Sequence, residues 1–233
     1  MEGWRPCGCP REQQRRDIER AAPDRGAPRS DPHALYNVTK RALDIVLASL
    51  LLIASAPVAL LSALLIFLES PGNPFYVQRR VGLLGVEFPM LKLRTMHAHA
   101  DRAADDLGAL NVVDGPAFKA PNDPRRLLFR RLLRWLSLDE LPQFVNVLAG
   151  QMSLVGPRPP LPDEVARYTD AEAERLVVNP GLTCTWQVSG RSDIPWDRWV
   201  VMDLRYIRER SLGHDLAILA RTPLTVLSMR GAH

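Results

Sequence analysis

A chain of 233 residues, 46% of them hydrophobic, is long enough for one good-sized domain with appendages. Its 30 basic and 26 acidic residues leave a formal net charge of +4, too mild to argue for a nucleic-acid partner, and no recognition motif adds to it. The three cysteines, Cys7, Cys9 and Cys184, have no zinc-type spacing with histidine and form no disulfide framework, so a reducing, cytosolic setting is expected for the soluble part.

Residues 1–33 are rich in Arg, Pro, Asp and Glu and show no apolar periodicity, which reads as a disordered leader. No apolar run occurs before residue 42, so a secretory signal is not expected. Residues 34–69 read as a membrane anchor. From Ile45 to Leu68 there is no charged residue, a run of the roughly 20 residues that one bilayer crossing needs. Pro57 lies at its middle and removes a helical hydrogen bond there. Basic residues flank both ends, Lys40 and Arg41 before, Arg79 and Arg80 after, so the positive-inside rule assigns no orientation. The expectation is a re-entrant hairpin bent at Pro57, with legs of about 18 Å that are too short to cross; a single kinked span is the alternative.

Residues 70–233 are expected to form a catalytic domain. Pro71-Gly72-Asn73-Pro74 is a turn cluster, followed by strands at Phe75–Gln78 and Glu87–Leu93 around a Gly82–Gly85 turn. His97–Asp106 reads as a solvated helix; His97 and His99 do not share a face and do not make a metal site. After a proline-rich loop, Leu128, Leu132, Leu133 and Leu136 keep helical spacing beside a basic stripe of Arg126, Arg130 and Arg134. That pattern suits a solvated core helix, or a membrane-surface helix that also meets phosphate.

The stretch Ser137–Pro159 carries the chemistry. Asp139 and Glu140 stand at its head, a short apolar helix is expected from Gln143 to Leu148, and Gly150 is its stop signal. Gly156-Pro157-Arg158-Pro159 then forms a stiff turn with one guanidinium. An acid pair beside arginines suits phosphate chemistry: carboxylates hold a divalent cation or attack phosphorus, and guanidinium forks bind phosphate oxygens. A plainer alternative is helix capping, either a box of Ser137 with Glu140 or Asp139 as the N-cap.

Beyond it, Asp163–Leu176 reads as a surface helix, Thr183–Val188 as β-prone, Trp196–Arg208 as a helix, and Leu212–Leu227 as an apolar helix interrupted by Pro223.

Several ordered motifs carry a resemblance. They are Lys40-Arg41-x-x-Asp44 before the apolar run, Pro57 within it, Gln78-Arg79-Arg80-Val81-Gly82, Lys92-Leu93-Arg94-Thr95-Met96 and Ser137-Leu138-Asp139-Glu140-Leu141-Pro142-Gln143 with Asn146-Val147-Leu148. Met152–Pro159, Pro180-Gly181-Leu182-Thr183 and Trp186-Gln187-Val188-Ser189-Gly190-Arg191 complete the set. From Tyr36 to His233 the chain resembles the monotopic bacterial phosphoglycosyl transferases, the polyprenyl-phosphate hexose-1-phosphate transferases of glycan assembly. Members often carry Ser-Pro at the membrane break; here Ala56 precedes Pro57 and Ser55 stands one earlier.

The resemblance implies a small α/β catalytic domain with an N-terminal re-entrant membrane helix hairpin and interfacial amphipathic helices, held at the cytoplasmic face of the bacterial inner membrane. It implies transfer of a sugar 1-phosphate from a UDP-sugar to a polyprenyl phosphate, the first membrane step of exopolysaccharide or glycan assembly. Asp139 matches the nucleophile that becomes a covalent phosphosugar, and Glu140 the ligand of Mg²⁺. Arg134 matches a position that meets the polyprenyl phosphate. Lys92, Arg94, Arg158, Gln187 and Arg191 are implied for the nucleotide sugar and the framework of the site. Two rivals are a catalytically silent membrane-tethered scaffold, against which the intact Asp139-Glu140 pair and Arg158 argue, and a metal-dependent nucleotide-sugar hydrolase. A homodimer is compatible with the sequence, and no nucleic acid is expected.

Overall fold

The structure is a computed structural model and describes residues 33–96, 133, 136–190 and 194–227. Residues 1–32 of the leader, His97–Asp106, most of the basic-striped helix with Arg134, and Arg191 lie outside the described residues.

Helix α1 (Ala34–Glu69) is one continuous element of 36 residues, about 54 Å at the helical rise. The two-legged hairpin expected from Pro57 is therefore not seen as two helices. Pro57 sits exposed inside α1, where it removes only one donor from the ladder while the turns on either side keep theirs. Ser55 donates its hydroxyl to the Leu52 carbonyl at 3.4 Å, a weak supplementary bond next to the break. Only 17% of the most apolar 18-residue window of α1 is buried inside the protein, which excludes a buried core helix. By length and composition it is able to cross a membrane.

What α1 does bury lies towards its two ends. Asp44 and Ala48 are buried in the first half, and Ser62, Ala63 and Ile66 in the second, all on stripes of helical spacing. None of residues 49–61 is fully buried. Ala48 joins the main core with Phe88, Met90, Val147, Leu154 and Ile218, whereas Ala63 and Ile66 pack on Leu93 and Leu133.

Strands β1 (Phe75–Val81) and β2 (Glu87–Leu93) form an antiparallel hairpin with Phe75 opposite Leu93 and Val81 opposite Glu87. Leu84 (φ 53°) and Gly85 (φ 77°) turn the chain between them. Phe88, Met90 and Lys92 alternate onto one face of β2, and cross-strand pairing puts Tyr76, Gln78 and Arg80 on that same face. Phe88 and Met90 are core residues, so the register carries Lys92 and Arg80 to the core side of the hairpin.

Helix α2 (Gln143–Leu148) forms where its apolar spacing predicts, and Gly150 ends it at φ 81° as expected of a left-handed stop. Strand β3 (Ser153–Val155) pairs in parallel with β4 (Gly181–Thr183), the Ser153 N–H donating to the Pro180 carbonyl at 2.8 Å. Here Gly156 and Gly181 meet backbone to backbone; a Cβ on Gly181 would lie 2.0 Å from the Gly156 nitrogen. That contact fixes the Pro157-Arg158 turn, aided by the Gly181 N–H donating to the Pro157 carbonyl at 2.8 Å.

The single helix expected over Asp163–Leu176 is broken. Helix α3 (Pro162–Val165), helix α4 (Asp170–Ala173) and a 3-10 segment Glu174–Val177 take its place, because Thr169 starts α4 with a reciprocal capping box to Glu172. The β-prone Thr183–Val188 stretch is strand only to Thr183 and then winds into turns, with the Val188 N–H donating to the Cys184 carbonyl at 3.3 Å. Trp186 stacks flat on Trp199 of α5 (Trp196–Glu209) with ring centroids 4.0 Å apart, a tertiary contact that overrides local β preference. Helix α6 (Leu212–Leu227) runs through Pro223 with the expected bounds.

Three residues near the start of α1 tie these elements together. Lys40 pairs with Asp215 of α6 at 2.9 Å, and the Asp215 carboxylate also accepts from Tyr36 at 2.9 Å and Tyr206 at 2.7 Å. Arg41 donates to the Val147 and Leu148 carbonyls, at 2.6 Å and 2.8 Å, and so caps the C-terminus of α2. Asp44 accepts from the Ser153 hydroxyl at 2.7 Å and from the Leu154 N–H at 3.1 Å, which seats β3. A second buried tie holds α5: Arg175 pairs with Asp203 at 2.8 Å, donates to the Tyr168 hydroxyl at 2.7 Å and lies over the Trp196 ring.

Candidate active site

Asp139 and Glu140 sit in a 3-10 turn, Leu138–Glu140. Ser137 enters it at φ 53° and ψ 28°, a left-handed conformation that costs a non-glycine residue about 1–3 kcal/mol. Neither capping alternative holds. The Ser137 side chain makes no cap bond, and the residue that precedes α2 is Pro142, which offers no side-chain cap. The acids thus stand in the first turn of the 3-10 segment without a side-chain cap from Ser137, partly exposed on a turn that carries backbone strain.

Lys92 faces them from β2, its ammonium 3.9 Å from Glu140. Burial pulls its pKa down to about 8; Glu140 and Asp139 pull the other way, while Arg158 and Arg80 lower it further. Arg80 is buried too, and burial together with Arg158 brings it down to about 10 against the opposing pull of Glu164 and Glu140. Lys92, Arg80 and Arg158 therefore share one electrostatic neighbourhood with Asp139 and Glu140. The clustered guanidinium and ammonium groups are suited to binding the oxygens of a phosphorylated ligand.

The approach of Arg80 is fixed by hydrogen bonds. It donates to the Gln78 side-chain oxygen at 2.8 Å and 3.2 Å and to the Pro159 carbonyl at 3.0 Å, so it braces the loop that carries Arg158. In the sequence Arg80 stands as a charge flanking the apolar run and as part of the Gln78–Gly82 motif. Its alternation with Gln78, opposite Phe88 and Met90 on the face that also carries Lys92, is the signal for its place in the site.

The other expected residues fall in different places. Arg94 donates to the Ser70 carbonyl and so holds the end of α1. Gln187 accepts from the buried Cys184 thiol at 3.1 Å, in the turn pinned by Trp186. Burial pushes that thiol well up, so it remains a protonated donor, and Arg158 is among the charges it senses. Pro57 is remote in α1, and Arg134 and Arg191 lie outside the described residues.

Among the described residues no group of three or more His, Cys, Asp and Glu side chains comes together to cage a metal. Asp139 and Glu140 are nevertheless a fitting donor set for a small hard cation such as Mg²⁺, which is normally held by one or two carboxylates and completed by substrate phosphates and water.

Known proteins give the same direction. The family profile described as "Bacterial sugar transferase" matches residues 35–229. The exopolysaccharide production protein ExoY of Sinorhizobium fredii is 39% identical over 200 residues, covering 84% of this chain and 88% of that protein. The undecaprenyl-phosphate galactose phosphotransferase of Salmonella typhimurium is 41% identical over 203 residues, covering 83% of this chain but 41% of its own greater length. The UDP-glucose:undecaprenyl-phosphate glucose-1-phosphate transferase of Caulobacter vibrioides is 39% identical over 213 residues, covering 87% of this chain and 74% of that protein. A family match over residues 35–229, with relatives about 40% identical over most of the chain, shows that this chain is an enzyme of the bacterial sugar transferase family.

Proposed function

We propose that this enzyme transfers a sugar 1-phosphate from a UDP-sugar to a polyprenyl phosphate in exopolysaccharide assembly, through a covalent phosphosugar on Asp139. The observation that carries the proposal is the strained turn that presents two carboxylates to Lys92 within the field of Arg80 and Arg158. The names of the Salmonella and Caulobacter relatives supply the substrate classes.

The chemistry divides into two displacements. An Asp139 carboxylate oxygen attacks the phosphorus next to the sugar. A bond forms between that oxygen and phosphorus, the phosphoanhydride bond breaks, and UMP leaves with the electron pair. A phosphate oxygen of the polyprenyl phosphate then attacks the same phosphorus, and the aspartyl–phosphate bond breaks. Asp139 returns as carboxylate, and the product is a polyprenyl diphosphate sugar. Lys92, Arg80 and Arg158 neutralise the phosphoryl oxygens. Glu140, with Asp139, would hold Mg²⁺, which supplies further charge neutralisation at the diphosphate. A lipid acceptor requires the site to lie at a membrane surface.

The anchor reading follows from α1. Its start is bound to α2, β3 and α6 through Arg41, Asp44 and Lys40, and its end to β2 through Ile66 and Leu93 and through Arg94 with Ser70. One catalytic domain cannot lie on both sides of a bilayer. Contact with both ends of α1 supports an anchor whose two ends stay on one side of the bilayer, a re-entrant path for which α1 has to bend at Pro57 within the lipid; that side is, in this proposal, the cytoplasmic face of the inner membrane. It does not favour a span.

The test is the identity of the released nucleotide. With a UDP-sugar and undecaprenyl phosphate, phosphosugar transfer releases UMP in an acceptor-dependent reaction. Release of UDP would mean glycosyl transfer and sink the proposal. Without acceptor the covalent step releases one equivalent of UMP per enzyme, and continued UMP release beyond that equivalent would mean hydrolysis.

A further inference from the structure

Residues 138–148 wind as one helical path. Leu141 (φ −54°, ψ −38°) and Pro142 (φ −61°, ψ −17°) keep right-handed geometry between the 3-10 turn and α2. Two pairs of i→i−3 bonds, from the Glu140 and Leu141 N–H groups before Pro142 and from Phe144 and Val145 after it, tighten the path. In a 3-10 turn side chains three apart stack in a column, and in an α-helix they are neighbours on one face. Glu140, Gln143 and Asn146 form that column, and its two ends both face β2. Glu140 reaches Lys92 at 3.9 Å. Asn146 accepts from the Leu91 N–H at 3.0 Å and donates to the Pro89 carbonyl at 2.7 Å. Gln143 lies between them and is only 3% exposed.

Both neighbours in the column are satisfied, but the Gln143 amide nitrogen is buried without a hydrogen-bond partner among the described residues. Native proteins rarely leave such a donor unmade, and each one calls for an explanation, a catalytic role among them. This one lies one turn beyond the Asp139-Glu140 pair, on the side where Lys92 sits. Its chemistry is specific, because an amide N–H₂ offers donors only and matches an oxygen anion.

We infer that the Gln143 side-chain amide donates a hydrogen bond to a non-bridging oxygen of the phosphoryl group that Asp139 attacks beside Lys92, and is a further catalytic residue of the transferase. The inference rests on the proposed function in the nature of its ligand, not in the geometry of the donor.

Gln143→Met keeps the length of the side chain and removes the donor. If the amide exists for the ligand, its removal relieves a buried unsatisfied group, so the melting temperature of the purified full chain stays level or rises. Formation of the covalent sugar-phosphate adduct should slow about tenfold or more, the usual weight of one hydrogen bond to a charged oxygen. Adduct formation within about twofold of the parent, or a melting temperature that falls together with the rate, overturns the inference. A calorimetric titration with Mg²⁺-pyrophosphate separates this claim from the proposed function. If the parent forms no adduct with any UDP-sugar, the proposed function fails, yet about tenfold weaker pyrophosphate binding by Gln143→Met still upholds the donor, and equal binding refutes it.

Discussion

Replacing Arg41 by alanine removes two hydrogen bonds, at 2.6 Å and 2.8 Å, from the last carbonyls of α2. A buried bond to a charged donor contributes about 1.5–3 kcal/mol. Arg41 is only half-buried, so water partly replaces it and each bond is worth about 1 kcal/mol here. The interaction of a cation with the C-terminal end of the helix dipole lies within that figure, at about 0.3–1 kcal/mol. The expected loss is thus about 2 kcal/mol, or about 4–8 °C in melting temperature for a chain of this size. Arg41→Lys keeps the charge but not the two-pronged geometry, and should recover about half. Tryptophan fluorescence during heating, with all three proteins in the same lipid nanodiscs, reads the difference. Turnover should fall alongside, because α2 follows directly from the turn that carries Asp139 and Glu140. A melting temperature for Arg41→Ala within about 1 °C of the parent would refute the reasoning, since Arg41 would then be an ordinary interfacial charge.

Two other outcomes follow from the same structure. Asp203→Asn strands the buried guanidinium of Arg175 and should destabilise by about 3–5 kcal/mol, seen as a large drop in melting temperature; a drop under about 2 °C would contradict the buried pair as a stabilising tie. Single cysteines introduced at Val38 and at Asn73 should both react with an impermeant thiol reagent from the same side of sealed vesicles, and labelling from opposite sides would establish a span.

The parts of this molecule that were legible in its sequence are those whose cause is local. Helix α2 and its Gly150 stop follow from apolar spacing and one left-handed glycine, and α6 from a long apolar run. The hairpin follows from two short strands about a glycine turn. The sequence predicts one surface helix over Asp163–Leu176, whereas Thr169 and Glu172 cap a new helix inside it. The β-prone Cys184–Val188 stretch yields to the stacking of Trp186 on Trp199. Lys40 and Arg41 looked like charges flanking a membrane segment, and only the fold gives Arg41 its partners more than a hundred residues away.

The site divides in the same way. The acid pair and Arg158 were visible as a motif, and the alternation of β2 brings Lys92 to them. Arg94 shares that motif but is directed to Ser70, because the burial pattern shifts at Leu93 towards the underside of α1. Arg80 and Gln143 were harder to find. The role of one depends on strand register and of the other on the phase of a 3-10 turn, and neither leaves a mark in composition.

The central claim is the covalent phosphosugar on Asp139. Its most direct measurement is the intact mass of the purified protein after mixing with Mg²⁺ and each of a panel of UDP-sugars, without acceptor. The account predicts a gain of one sugar phosphate that is absent in Asp139→Asn and discharged on adding polyprenyl phosphate. An enzyme that turns over while its mass never changes, or an Asp139→Asn protein that still carries the adduct, would contradict it.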